Sequence, residues 1–311
     1  MLSRVADSLY WMSRYMERSD GILRMLRINY AYSQDGSSDF SWRPVLKIFS
    51  NLDDDTIETL KYNGRDVLKY MVTDKNNHNS VINIVSKARE NARSVQDNVT
   101  KELWQCLNDY YHMMREDKLA AALCFDDPIS VLDNLIKQGM YYYGSTEITM
   151  PRGEGYYFMN MGKFLERAIQ SVDILDVKFR ELEYSLDEAT DPTYWKYLLL
   201  SISGYEIFLK SYRSSLESRN IIHQIVWNEN FPRSIIYTTK RLKQSFETIK
   251  GDKNKESYKT MSYMIGKLGC SLEYSDLKDL EQIGLKEYLK KIKGELFAIG
   301  DALSHYYFAF N

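Results

Sequence analysis

Cysteine is sparse and scattered in this chain: Cys106, Cys124 and Cys270 are the only three in 311 residues. An odd, isolated set provides neither a disulfide framework nor a zinc site, and it fits a reducing compartment. No stretch is apolar for long enough to span a bilayer. The opening Met1 to Asp7 carries charges where a signal peptide needs an apolar run. The expectation is therefore a cytoplasmic protein with no membrane partner. Net charge is only −2, so no basic footprint points to nucleic acid. The four histidines, His78, His112, His223 and His305, are scattered, and none belongs to an HExxH pattern. GxGxxG, P-loop and GxSxG patterns are absent. No cofactor or metal is expected on this chain.

Only five prolines occur, and they punctuate helix starts. Asp127-Pro128 and Asp191-Pro192 pair an N-cap acid with proline at the first helical position, and Pro44, Pro151 and Pro232 suit the same role. Asp53-Asp54-Asp55 and Asp126-Asp127 read as acidic helix starts. The hydrophobic spacing is helical almost everywhere. It predicts helices over 2–32, 43–50, 54–71, 79–116, 128–138, 154–187, 193–216, 219–226, 233–250, 256–268, 276–283 and 287–309, with no strand. Residues 143–155, with Gly144, Pro151, Gly153 and Gly155, read as an irregular linker, and 36–38 and 251–254 as surface loops. Tyrosine is abundant at 25 residues. Runs such as Tyr141-Tyr142-Tyr143 read as helix-packing side chains with hydroxyls at interfaces.

The pattern is written twice. Tyr15-Met16-Glu17-Arg18-Ser19 is answered by Phe164-Leu165-Glu166-Arg167-Ala168, 149 positions later. Leu9, Met12, Met16, Ser19, Leu23, Leu26 and Tyr30 form a seam of alternating three- and four-residue steps. The same offset gives Phe158, Met161, Leu165, Ala168, Val172, Leu175 and Phe179. Trp42 and Trp195 follow, and then 72–81 pairs with 226–235. Trp42 precedes Ser80 by 38 residues and Trp195 precedes Ser234 by 39. Landmarks in the same order predict an all-α bundle built from two related halves, about 1–140 and 150–311, by internal duplication.

About 200° around the first helix from its seam lies a second stripe: Arg4, Asp7, Trp11, Arg14, Arg18 and Gly21. Glu17 lies beside it. The second copy offers Tyr156, Asn160, Lys163 and Arg167, with Glu166 beside them and Arg152 and Glu154 at the entry. Two readings stand. The charges are solvated or paired internally, with Glu17 on Arg167 and Glu166 on Arg18, since arginine's planar fork suits a carboxylate. Alternatively Arg4, Arg14, Arg18, Arg152, Lys163 and Arg167 bind an anion or substrate, Glu17 and Glu166 are catalytic candidates, and Trp11 and Glu154 complete a partner surface.

The opening from Leu2 to Arg18, with Ala88-Arg89-Glu90-Asn91-Ala92-Arg93-Ser94-Val95, Met150 to Gly155, Phe164 to Ala168 and Phe231 to Ile235, resembles the bacterial Alpha-E family across nearly the whole chain. Lys163 departs from the arginine expected there but keeps its charge, and Tyr156-Tyr157 keeps an aromatic opening in kind only. The resemblance implies a single helical domain over 1–311. It also implies partnership with circularly permuted ATP-grasp proteins, and a setting that includes transglutaminase-like and Ntn-hydrolase-like proteins. That setting implies ATP-dependent peptide or amide-bond formation, with ATP and magnesium held by the ligase. Three roles remain open: a non-catalytic partner subunit, an enzyme using the Glu-Arg groups, and a structural scaffold.

Overall fold

A computed structural model describes residues 1–35, 40–187, 191–212, 216–249 and 255–308. The described residues form sixteen α-helices and no strand. None of these helices is long and apolar enough to cross a membrane. The loops expected at 36–38 and 251–254 lie outside the described residues. The chain divides into two compact units. Unit 1 holds Met1–Arg14, Arg152–Leu199 and Gly204–Asn311, and unit 2 holds Tyr15–Pro151 and Leu200–Ser203. Helix α1 (Ser3–Gln34) contributes its first three turns to unit 1 and the rest to unit 2.

In unit 2 the remaining helices are α2 (Arg43–Phe49), α3 (Asp54–Leu60), α4 (Gly64–Val72), α5 (Val81–Ser94), α6 (Lys101–Met114), α7 (Asp117–Phe125) and α8 (Pro128–Thr149). Helix α6 packs between α5 and α8, and α7 bridges α4 and α8. In unit 1 they are α9 (Glu154–Arg180), α10 (Pro192–Ser201), α11 (Tyr205–Ser211), α12 (Ser218–Val226), α13 (Ile235–Thr248), α14 (Glu256–Glu273), α15 (Leu277–Ile283) and α16 (Leu285–Leu303), closed by a π turn at Ser304–Phe308. Helix α9 packs on α13 and α16, and α14 lies against both of those.

Several expected boundaries move for local reasons. The segment 54–71 splits because Asn63 caps α4 by accepting from the Asp66 amide, and Gly64 sits against the Trp42 ring, 3.1 Å from where a Cβ would stand. The segment 79–116 breaks where Thr100 caps α6 at the Leu103 amide. The segment 193–216 breaks at Ser203, with φ of 55°, followed by Gly204 against Phe231. Residues 143–155 are not a linker: α8 runs to Thr149 and only Met150 to Gly153 separate it from α9. Gly139 is buried inside α8, and Gly144 is carried within the same helix. Helix α9 ends at Arg180, before the positive φ of Glu183 and Tyr184. Helix α7 was not anticipated.

The paired segments 72–81 and 226–235 do share a local design. Helices α4 and α12 end at Val72 and Val226, and α5 and α13 begin after the buried N-caps Ser80 and Ser234. Asp74 accepts from the Asn76 amide at 2.8 Å, and Asn228 from the Asn230 amide at 2.9 Å. The amides of Ser80 and Ser234 each bond a carbonyl three residues back, both at 2.9 Å. Each turn is thus an Asx turn leading to a buried serine at the N-cap position, where Ser234 accepts from the Tyr237 amide at 3.1 Å.

Both helices with the Glu-Arg pairs bury polar and charged residues as well as apolar ones. Helix α9 buries Met159, Asn160, Gly162, Glu166, Gln170 and Ser171 as well as its apolar seam. In α1, Arg14, Glu17, Ser19 and Asp20 are buried alongside Leu9, Met12 and Met16. Helix α1 nonetheless keeps a part-exposed stripe of Asp7, Trp11, Arg18, Gly21 and Arg24, with Arg4 and Gln34 exposed near its two ends, and Arg14 alone of the expected charged stripe is buried.

One glycine sets the close packing in unit 1. A Cβ on Gly162 would lie 2.3 Å from the Tyr10 backbone oxygen and 3.3 Å from the Arg14 Cγ. Gly162→Ala therefore forces the α1 start and α9 apart, and is expected to cost about 1–3 kcal/mol. Gly266, inside α14, has nothing within 4 Å of such a carbon. Gly266→Ala is expected to gain about 0.5–1 kcal/mol from helix propensity. Urea midpoints at unchanged slope check both.

Candidate functional site

The approach at Gly162 brings Arg14 to Glu166 one turn further along α9. In unit 1 the Arg14 Nε donates to Glu166 Oε2 at 2.8 Å, and Nη2 meets the same oxygen at 2.7 Å. The side chains are 10% and 3% exposed, so both charges are held out of water. Arg14 Nη1 also donates to the Tyr10 hydroxyl at 3.3 Å, and the guanidinium lies 4.7 Å over the Trp11 ring. Burial opposes the arginine's charge, but Glu166 and Tyr10 outweigh it and raise its pKa. Burial also raises the Tyr10 hydroxyl. Such a cluster gives arginine a carboxylate, a hydroxyl and two ring faces at once.

The remaining predicted residues of unit 1 fall in two places. Near the start of α9, Glu154 accepts from the Met1 ammonium at 2.7 Å, and the exposed Arg152 stacks 4.1 Å over Tyr156. Arg4 is exposed. Further along α9, Lys163 and Arg167 lie 4.6 and 5.6 Å from the Phe164 ring centre, joined there by Arg241 at 5.7 Å. Arg167 also donates to the Pro232 carbonyl at 3.3 Å, and Ser171 to the Arg233 carbonyl at 2.6 Å. These two bonds dock the turn before α13 onto α9. Trp11 is half-buried and hydrogen-bonded to Asp7, whose carboxyl burial raises. Arg14 is thus buried and Trp11 half-buried, whereas Arg4 and Arg152 remain at the surface.

In unit 2, Glu17 is fully buried and accepts from the Tyr143 hydroxyl at 2.6 Å. Arg18 is half-buried. One turn on, Arg24 donates to the buried Asp20 at 2.8 Å, and Ser19 bonds the buried Tyr110 hydroxyl at 3.1 Å. Burial drives the Tyr110 hydroxyl strongly upward. Arg27 pairs with Asp133 at 2.8 Å.

The structure thus brings Arg14, Trp11 and Glu166 together. It meets Glu166 with Arg14. It adds Tyr10, Tyr143, Asp20 and Gly162, which the sequence reading had not selected. Their signals were a lone glycine inside a helical pattern at 162 and a tyrosine assigned to a linker at 143. Among the described residues no cluster of three or more His, Cys, Asp or Glu side chains is placed to hold a metal ion.

An all-α chain that buries a Glu-Arg group in each of two long helices defines a class of helical domain. The chain belongs to the Alpha-E family, described as a predicted alpha-helical domain with a conserved ER motif, whose model matches residues 1–308. It is also similar to Uncharacterized protein Mb2597 of Mycobacterium bovis, at 20% identity over 97% of this chain and 36% of that protein. The same figures hold for Uncharacterized protein MT2643 of Mycobacterium tuberculosis. The chain therefore spans little more than a third of the length of these curated relatives. No solved structure matches.

Tyr143→Phe removes a donor from a buried carboxylate and keeps the ring. The expected cost is about 1–3 kcal/mol, read from the urea midpoint. A change below about 0.5 kcal/mol, the range of ordinary surface substitutions, would mean the bond to Glu17 contributes nothing.

Proposed function

We propose that this chain is a helical partner subunit of a circularly permuted ATP-grasp ligase that forms peptide or amide bonds. ATP and magnesium belong to the ligase. The carrying observation is that both motif carboxylates are buried and engaged, Glu166 by Arg14 and Glu17 by Tyr143. A general acid or base must reach the proton it moves, and these two are walled in by their own helices. Their chemistry suits fixing helix register. Arg4 and Arg152 are exposed in unit 1, and exposed guanidinium groups suit a partner's carboxylates or phosphates. The likeness of the turns at 72–81 and 226–235 supports descent of the two halves from one duplicated unit.

Reconstitution with the ATP-grasp protein tests this reading. Phosphate release from ATP is followed for the ligase alone, for this chain alone and for both. The expected result is no turnover by this chain alone, and faster or more complete coupling to amide product when it is added. A Glu166→Gln variant that stays folded by circular dichroism supports the ligase as well as the parent does. A loss of about 10²–10⁴-fold in that variant, the contribution of a general acid or base, would contradict the proposal and favour an enzyme using the Glu-Arg group.

A further inference from the structure

Unit 2 carries an open groove between α6 and α8, with a volume of about 560 Å³. Three large apolar side chains of α8 stand in or beside it exposed: Met140 at 54%, Tyr141 at 60% and Ile148 at 84%. Tyr141, Gly144 and Ile148 are spaced by three and four residues and so share one helix face. No atom lies within 4 Å of a Cβ added to Gly144, which leaves a notch between the two large side chains. On the α6 side, the Cys106 thiol is held by Ser145, and burial raises its pKa to about 11. At neutral pH it is a small apolar wall and not a nucleophile.

The charges lining the groove have one sign. Glu102 and Asp109 of α6 border it, and no lysine or arginine does. Asp109 accepts a hydrogen bond from Gln105 at 2.6 Å, which leaves its charge uncompensated. A surface patch of this kind, apolar along its floor and rimmed by polar groups, marks an interaction site. Its length matches about two to three turns of α-helix.

Resting on the partner-subunit reading above, we infer that this groove seats an amphipathic helix of the ligase. Its apolar side chains enter beside Tyr141, Gly144 and Ile148, and its flanking lysines or arginines face Glu102 and Asp109. Helix-in-groove recognition of this type uses apolar anchors at three- and four-residue spacing. Complementary charge at the rim sets orientation and on-rate.

The experiment titrates the full-length chain against the purified ATP-grasp protein by calorimetry, with hydrogen exchange on the complex. The variants are Tyr141→Asp/Ile148→Asp, both exposed positions, and Glu102→Lys. The parent urea midpoint in each confirms folding. The expected result is a Kd raised about 30-fold or more by the double variant, the size of a hot-spot loss. Glu102→Lys should weaken binding mainly at low salt. Exchange protection should fall on 138–148 and on a ligase helix with basic flanks. Parent-like affinity in the double variant would overturn the groove while leaving the partner reading standing. So would sedimentation showing a dimer of this chain that Ile148→Asp dissolves, which would assign the groove to a second copy. No binding by the parent chain would overturn both.

Discussion

The Arg14–Glu166 pair is the contact on which the packing of unit 1 turns. Two opposite charges are almost entirely removed from water, and that arrangement is tolerable only when each is met by well-aligned partners. Gly162 permits it. Without a Cβ, α9 approaches the Tyr10 carbonyl closely enough for a carboxylate one turn later to reach a guanidinium on α1. Tyr10 and Trp11 then complete the enclosure. The pair fixes both how far apart the helices sit and how each is rotated. In a bundle whose core is largely apolar, a buried ion pair of this kind specifies one register among several.

Unit 2 also anchors a buried carboxylate. Glu17 occupies the position in α1 that Glu166 occupies in α9, and it accepts from the Tyr143 hydroxyl. Below it, Asp20 with Arg24 and Ser19 with Tyr110 continue a polar ladder along α1. Glutamate is thus used as a buried anchor in both long helices. This argues for a scaffold that holds its shape for a partner, with the adaptable chemistry elsewhere. The exposed features point the same way: basic Arg4 and Arg152 in unit 1, and the apolar, acid-rimmed groove of unit 2.

Much of this was legible in the sequence because it is local. The pairing of 72–81 with 226–235 and the seams of α1 and α9 depend on neighbours a few residues away. The all-α class followed from the same periodicity. The misses have physical causes. Residues 143–149 looked like a linker because Gly144 precedes Pro151, Gly153 and Gly155, yet a helix carries Gly144 when tertiary packing outweighs its propensity cost. Within the charged stripe of α1, Arg4, Asp7, Trp11, Arg18 and Gly21 stay at least part-exposed, and Arg14 alone is buried, where α9 comes close. Arg14 as the partner of Glu166 depends on the depth of the α1–α9 approach. That depth is set by one missing Cβ and is not visible in charge spacing.

A double-mutant cycle on Arg14→Met and Glu166→Leu tests the central claim most directly. Chemical denaturation of the two single variants and the double variant separates the pair from its surroundings. If the pair fixes the packing, each single change strands a buried charge and costs about 3–5 kcal/mol. The double variant then costs far less than the two together. Single variants within about 0.5 kcal/mol of the parent, or strictly additive losses, would contradict the account.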